Sequence, residues 1–180
     1  EQAGTMRDAV AVAIALEGFH HQCDVLTLAN LAQIVNVLHA PVMTDGASIW
    51  LTPSYYALQL HTAHLGATAV PVDVAQGAAL PGSENSAVSA TALLKAGGTT
   101  VTVTNRHYDQ SASVSLSAPN TRSVKAAQLL SADSPRAVNS AQQPDQVKLA
   151  ALDVAANGAG QWRIELPPHS VATIQFAYRV

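Results

Sequence analysis

The chain has 180 residues, 48% of them hydrophobic, 12% charged and 4% aromatic, a composition that folds and is not that of a disordered tail. A formal net charge of -3 leaves no basic surface for nucleic-acid phosphates, and no apolar run free of Asn, Gln and His is long enough to span a bilayer. A lone cysteine, Cys23, permits no internal disulfide.

The opening Glu1-Gln2-Ala3 has no basic n-region, so no signal peptide is expected, and the compartment stays open. From Ala9 to Val72 the only formally charged residues are Glu17, Asp24 and Asp45, although about a quarter of residues are charged in an ordinary domain. So dry a stretch implies packing against protein surface outside this chain, either an N-terminal portion or a partner subunit. The competing reading is that Ala, Thr, Gln and His suffice to cover the surface.

Thr5 followed by Asp8 has the form of a capping box and opens an Ala-rich helix with Val10, Val12, Ile14 and Leu16. Gly18 and His20-His21-Gln22 close it. Val25-Leu26-Thr27-Leu28-Ala29 is apolar on both faces and of strand length, as in a parallel strand covered by helices. The amides of Asn30, Gln33 and Asn36 follow within an apolar run, where a parallel strand's carboxyl end is a candidate ligand site. Thr44-Asp45-Gly46 predicts a turn and Ile49-Trp50-Leu51 an extended piece. Thr52-Pro53 caps a second helix running to Leu65, which Gly66 stops. This order of elements is that of the last units of a (β/α)8 barrel.

After Thr68 alternation replaces the helical period. Val101 and Val103 alternate with threonines, Val114 and Leu116 with serines, and Trp162, Ile164 and Leu166 with Gln161, Arg163 and Glu165, the pattern of half-buried antiparallel strands. Turn signals at Pro81-Gly82, Gly97-Gly98, Pro119-Asn120, Ser134-Pro135, Asn157-Gly158 and Pro167-Pro168 separate about seven strands, a β-sandwich. A last strand from Ala172 to Tyr178 puts Ile174, Phe176 and Tyr178 on one face. The expected fold is thus α/β then all-β, with the end of a (β/α)8 TIM barrel over residues 1–67 and an antiparallel β-sandwich over 68–180. The clustered Ser and Thr of the strands are read as solvent-facing.

The run Ala29-Asn30-Leu31-Ala32-Gln33-Ile34-Val35-Asn36-Val37-Leu38, with Thr44-Asp45-Gly46 and Leu51-Thr52-Pro53-Ser54-Tyr55, resembles the C-terminal part of the α-L-arabinofuranosidases of glycoside hydrolase family 51. The likeness takes in Arg7-Asp8-Ala9, Cys23-Asp24 and His64-Leu65-Gly66, and more loosely Val88-Ser89-Ala90, Val101-Thr102-Val103-Thr104-Asn105 and the stretch from Leu166 to Val171. It implies retaining hydrolysis of terminal α-L-arabinofuranosyl groups of arabinan, arabinoxylan and related oligosaccharides. It also implies that both catalytic glutamates lie on earlier barrel strands, so no catalytic residue is expected in this chain; neither Glu1 nor Glu17 stands in those motifs. Gln33 matches the family glutamine that hydrogen-bonds the arabinofuranose where cleavage occurs, a role suited to an amide that both donates and accepts. Its competing reading is a buried amide that only ties down the loop. Asn30 and Asn36 are read as fixing loop backbone. The resemblance further implies an N-terminal barrel portion as partner, a homo-oligomer, commonly a hexamer, and no metal or organic cofactor.

Other candidates carry less. His61 and His64, at i and i+3, have no third ligand at metal spacing and are read as solvated or capping residues of a helix end, like His20-His21. Cys23 is read as a small buried residue beside a strand. Ser54 lacks a Gly-x-Ser-x-Gly setting, and Gly97-Gly98 joins strands rather than opening a phosphate-binding helix. The alternative to an enzyme segment is a noncatalytic sandwich module that binds carbohydrate or mediates assembly. The inward phase of Trp162 and the isolation of Tyr108 speak against it.

Overall fold

Thr5 caps the first helix as its sequence predicts. Its side chain accepts from the Asp8 amide, and the Asp8 carboxylate accepts from the Thr5 amide at 2.7 Å, so two free N–H groups of the helix start are satisfied. The computed structural model describes residues 4–75 and 77–178; Glu1 lies outside them. Helix α1 spans Met6–His21 and buries Met6, Ala9, Val10, Ala13 and Glu17. The hairpin of β1 (Val42–Asp45) and β2 (Ser48–Leu51) turns at Gly46, whose φ of 56° suits glycine. Helix α2 (Pro53–His61) begins with Pro53 behind Thr52 and passes into a 3-10 turn, Thr62–His64. Thr52 caps without its side chain, because its hydroxyl donates instead to the Ala40 carbonyl at 2.9 Å.

The remaining strands form two antiparallel sheets. They are β3 (Thr68–Val70), β4 (Val88–Lys95), β5 (Gly98–Asn105), β6 (Ala112–Ser117), β7 (Thr121–Leu130), β8 (Leu149–Ala151), β9 (Ala155–Ala156), β10 (Gln161–Leu166) and β11 (Ser170–Tyr178). The larger sheet has the order β3-β4-β5-β11-β7-β8 and the smaller β6-β10-β9. Val101, Val103, Ile174 and Phe176 of the first meet Trp162, Ile164 and Leu166 of the second in one apolar core, the expected sandwich. Trp162 points inward, 5.2 Å from the Phe176 ring by centroids, and its Nε1 donates to Thr121 Oγ1 at 2.9 Å. The indole is buried with its polar group satisfied. Gly98 is needed for room: a Cβ there would stand 2.1 Å from the Phe176 carbonyl oxygen across β5 and β11.

Helices α1 and α2 cover the outer face of the larger sheet. A second core gathers Met6, Ala9, Val10 and Ala13 of α1, Ala57 and Leu60 of α2, and Leu130, Val147 and Val171 beneath them. This layer corrects the expectation that the strand threonines face water. Thr91, Thr100, Thr102, Thr104 and Thr173 are buried, because the face opposite the sandwich core lies under helices; Ser113, Ser115 and Ser117 of β6, Ser123 of β7 and Thr68 of β3 are exposed as expected. Each threonine therefore needs a hydrogen-bond partner, and Thr102 Oγ1 finds Thr173 Oγ1 at 2.8 Å.

A second correction concerns Val25 to Ala29. No strand forms there. Residues 26–34 carry no regular structure and are almost wholly exposed, and Val25 and Leu28 are 74% and 72% exposed. A two-faced apolar strand needs a sheet neighbour on its edge, and none of the described strands pairs with this segment. The sandwich and the two helices are thus present, and the helix-strand-loop-helix order of a barrel end is not. Cys23 likewise is exposed rather than buried, since the strand it was to pack beside is absent.

Candidate functional site

Gln33 sits on an extended segment that leaves α1 and returns to the β1–β2 hairpin. The Gln22 amide closes α1 on the Gly18 carbonyl at 3.2 Å. The chain then runs without regular structure until the Val42 amide bonds Ile34 O at 3.2 Å and the Asn36 amide bonds Val42 O at 3.1 Å, a parallel bridge between Val35 and Val42. Asn36 holds the hairpin with both ends of its amide. Its Nδ2 donates to Thr44 Oγ1 and its Oδ1 accepts from the Thr44 amide, both at 2.7 Å. Asn36 therefore fixes loop backbone, as its sequence position suggests, and its φ of 54° is one that asparagine tolerates. Asn30 is exposed.

The Ala32–Gln33 peptide bond is cis. Gln33 itself is exposed, and its side-chain amide meets no hydrogen-bond partner among the described residues. Around it Leu28, Leu31, Ile34, Val35 and Leu38 present large apolar side chains to solvent, Ile34 at 63% exposure. Contiguous exposed apolar stretches are found at interaction surfaces and ligand grooves.

Glu17 on α1 is spent on packing. It is 2% exposed and accepts from Thr104 Oγ1 at 2.5 Å. Burial pushes its pKa above the ordinary carboxylate value, against the opposing pull of hydrogen bonding and of His21 and Arg106.

The histidines depart from their sequence reading. His61 and His64 are not solvated helix ends; they are buried beside His20, with ring centroids 4.9 Å (His20–His64), 5.5 Å (His61–His64) and 5.8 Å (His20–His61) apart. The Ala57 carbonyl holds His61 Nδ1 at 2.8 Å and Thr102 Oγ1 holds His64 Nε2 at 2.6 Å. Desolvation holds His61 down to about 4 and His64 to about 3, with the neighbouring imidazoles adding to the effect, and lowers His20 too. The three rings are therefore neutral at pH 7. They border a cavity of about 620 Å³ also lined by Leu16, Cys23 and Leu93. Among the described residues no group of three His, Cys, Asp or Glu side chains is arranged to hold a metal ion, and no helix is long and apolar enough to cross a membrane.

One feature that sequence reasoning missed is a cleft of about 330 Å³ between the hairpin, α2 and the connection from β7 to β8, lined by Ile49, Trp50, Leu51, Tyr56, Pro144 and Asp145. Burial, and next the nearby Asp145 carboxylate, raise the pKa of the Tyr56 phenol. Asp145 lies far along the chain from the two aromatics, so no local pattern signals the grouping.

Residues 1–170 match the family described as alpha-L-arabinofuranosidase C-terminal domain. The chain belongs to that family. It is 31% identical over 183 aligned positions to an intracellular exo-alpha-L-arabinofuranosidase of Bacteroides ovatus, covering 97% of this chain and 35% of that protein. Among solved structures it resembles the family 51 arabinofuranosidase of Xanthomonas axonopodis pv. citri, with a TM-score of 0.86 and 28% identity over 98% of this chain and 36% of the other. A family 51 alpha-L-arabinofuranosidase from Bifidobacterium longum gives a TM-score of 0.87 at 25% identity, over 98% of this chain and 35% of the other. The arabinofuranosidase C-terminal domain seen here therefore spans about a third of the length of these relatives.

Proposed function

We propose that this chain is the C-terminal part of a retaining, exo-acting α-L-arabinofuranosidase that removes terminal non-reducing α-L-arabinofuranosyl groups from arabinan, arabinoxylan and arabino-oligosaccharides. An N-terminal portion supplies the rest of the (β/α)8 barrel and both catalytic glutamates. One carboxylate attacks the anomeric carbon while the other, about 5 to 5.5 Å away, protonates the leaving oxygen and then activates water. These two groups supply nucleophile, acid and base, so the reading requires neither metal nor organic cofactor. This chain alone is inactive on that account.

The observation that carries this reading is the uncovered apolar segment with Gln33 in its midst. In a completed barrel the segment from Val25 to Ala29 gains strand neighbours and becomes the last barrel strand. Gln33 at its carboxyl end then faces the site and hydrogen-bonds the arabinofuranose. The assembled enzyme forms a homo-oligomer, a hexamer by family likeness. A noncatalytic sandwich module is not favoured, because Trp162 is buried in the core and, among the described residues, Phe19 and Tyr108 are the only aromatics among the exposed large hydrophobic side chains.

The test joins this chain to its N-terminal portion and measures hydrolysis of an aryl α-L-arabinofuranoside. The joined enzyme should turn over and the chain alone should not. Gln33→Ala should lower kcat/KM by about 10- to 100-fold, the loss of one or two hydrogen bonds to substrate. Unaltered kinetics in the variant would remove the role given to Gln33, and hydrolysis by the isolated chain would overturn the reading.

A further inference from the structure

The segment bearing Gln33 does not end at the sugar it is proposed to hold. Its bridge at Val35 and Val42 makes it the neighbour of β1, and β1 pairs with β2 so that Met43 stands opposite Trp50. Two strand spacings put the backbone of β2 roughly 10 Å from that of the Gln33 segment, a distance a short oligosaccharide spans. There the cleft offers the indole of Trp50, the phenol of Tyr56 from α2 and the carboxylate of Asp145. Aromatic faces pack against the C–H faces of sugar rings, while an indole N–H, a phenol O–H and a carboxylate supply donors and acceptors for ring hydroxyls. Among the described residues none of the three side chains enters an ion pair or buried hydrogen bond of the kind that engages Trp162, Asn139 or His64 elsewhere in the fold.

From this juxtaposition we infer that the cleft of Trp50, Tyr56 and Asp145 is a binding subsite for neutral sugar residues beyond the one cleaved. The proposal rests on the arabinofuranosidase reading above and extends it to recognition of the rest of the chain. The occupant is carbohydrate rather than peptide or nucleic acid. The cleft has aromatic platforms for a saccharide, and its charge is a single carboxylate that would repel phosphate. Trp50 and Tyr56 supply contact area, and Asp145 orients hydroxyls.

The experiment compares two substrates in the enzyme completed by its N-terminal portion: an aryl α-L-arabinofuranoside, whose leaving group is no sugar, and linear arabinotriose. Trp50→Ala and Asp145→Asn should each raise the KM for arabinotriose, relative to that for the aryl substrate, by about tenfold, the worth of one stacking contact or one charge-assisted hydrogen bond. Asp145→Asn keeps the shape of an exposed loop residue, so it serves if Trp50→Ala fails to fold. A KM raised equally on both substrates would mean that the cleft serves only the fold, and a KM unchanged on both would mean that it binds no sugar; either overturns the proposal and leaves the enzyme reading intact. A wild-type enzyme that hydrolyses neither substrate overturns both.

Discussion

Thr104 Oγ1 donates to Glu17 Oε1 at 2.5 Å, joining the last turns of α1 to the far end of β5 across a sequence separation of 87 residues. The bond fixes how the helix lies on the larger sheet, and it leaves a carboxyl group in a site that disfavours its charge.

Glu17 is therefore a site where removal of charge stabilises. Because its folded pKa is raised, folding retains a proton that the unfolded chain releases, so its contribution weakens as pH rises above about 4.5. Glu17→Gln keeps an oxygen to accept from Thr104 and should raise the midpoint of thermal unfolding at pH 7 by about 2–4 °C, with a smaller gain at pH 4. Thr104→Val strands the carboxyl and should cost about 1–3 kcal/mol in urea unfolding.

The histidine cluster sets the opposite slope. The unfolded chain takes up protons near pH 6.5 while folded His61 and His64 stay neutral down to about 4 and about 3, so their contribution is complete above 6.5 and is lost as pH falls toward those values. Each such group removes up to about 1.4 kcal/mol per pH unit in that window. Urea midpoints should hold from pH 7.5 to about 6.5 and fall from there to 4.5. His64→Gln, which retains a partner for Thr102, should flatten the curve, and an unchanged slope would mean that the cluster is not what titrates.

Trp162 tests the sandwich core. Thr121→Val removes the acceptor of a buried indole N–H and should destabilise by about 1–3 kcal/mol. Ile164→Ala, at 1% exposure, should cost about 2–5 kcal/mol. Chemical denaturation followed by tryptophan fluorescence reads both.

The exposed apolar segment predicts a variant that spares this chain and harms only assembly. Leu28→Asp and Ile34→Asp change side chains 72% and 63% exposed and should shift the stability of the isolated chain by no more than about 0.5 kcal/mol. Both should prevent co-elution with the N-terminal portion in size-exclusion chromatography. Retained co-elution would show that this segment is not the covered surface.

Much of the fold was written in local pattern. The capping box at Thr5, proline behind Thr52, the turn at Gly46 and the inward phase of Trp162, Ile164 and Leu166 each depend on neighbours a few residues away, and each stands in the structure as its sequence predicts. The sparse charge from Ala9 to Val72 is likewise legible in the sequence alone. Tertiary structure decided what alternation leaves open, namely what lies on the second face of a sheet. Thr102 and Thr104 read as solvent-facing until α1 and α2 roof them, and His61 and His64 read as helix ends until packing buries both and sets His64 against Thr102 of β5. Val25 to Ala29 erred in the other direction, since a strand is completed only by the edge it pairs with, and the described residues offer it none. The grouping of Trp50 and Tyr56 with Asp145 was hidden for the same reason: the connection from β7 to β8 is brought to the hairpin by packing across the whole domain, a relation that no periodicity along the chain encodes.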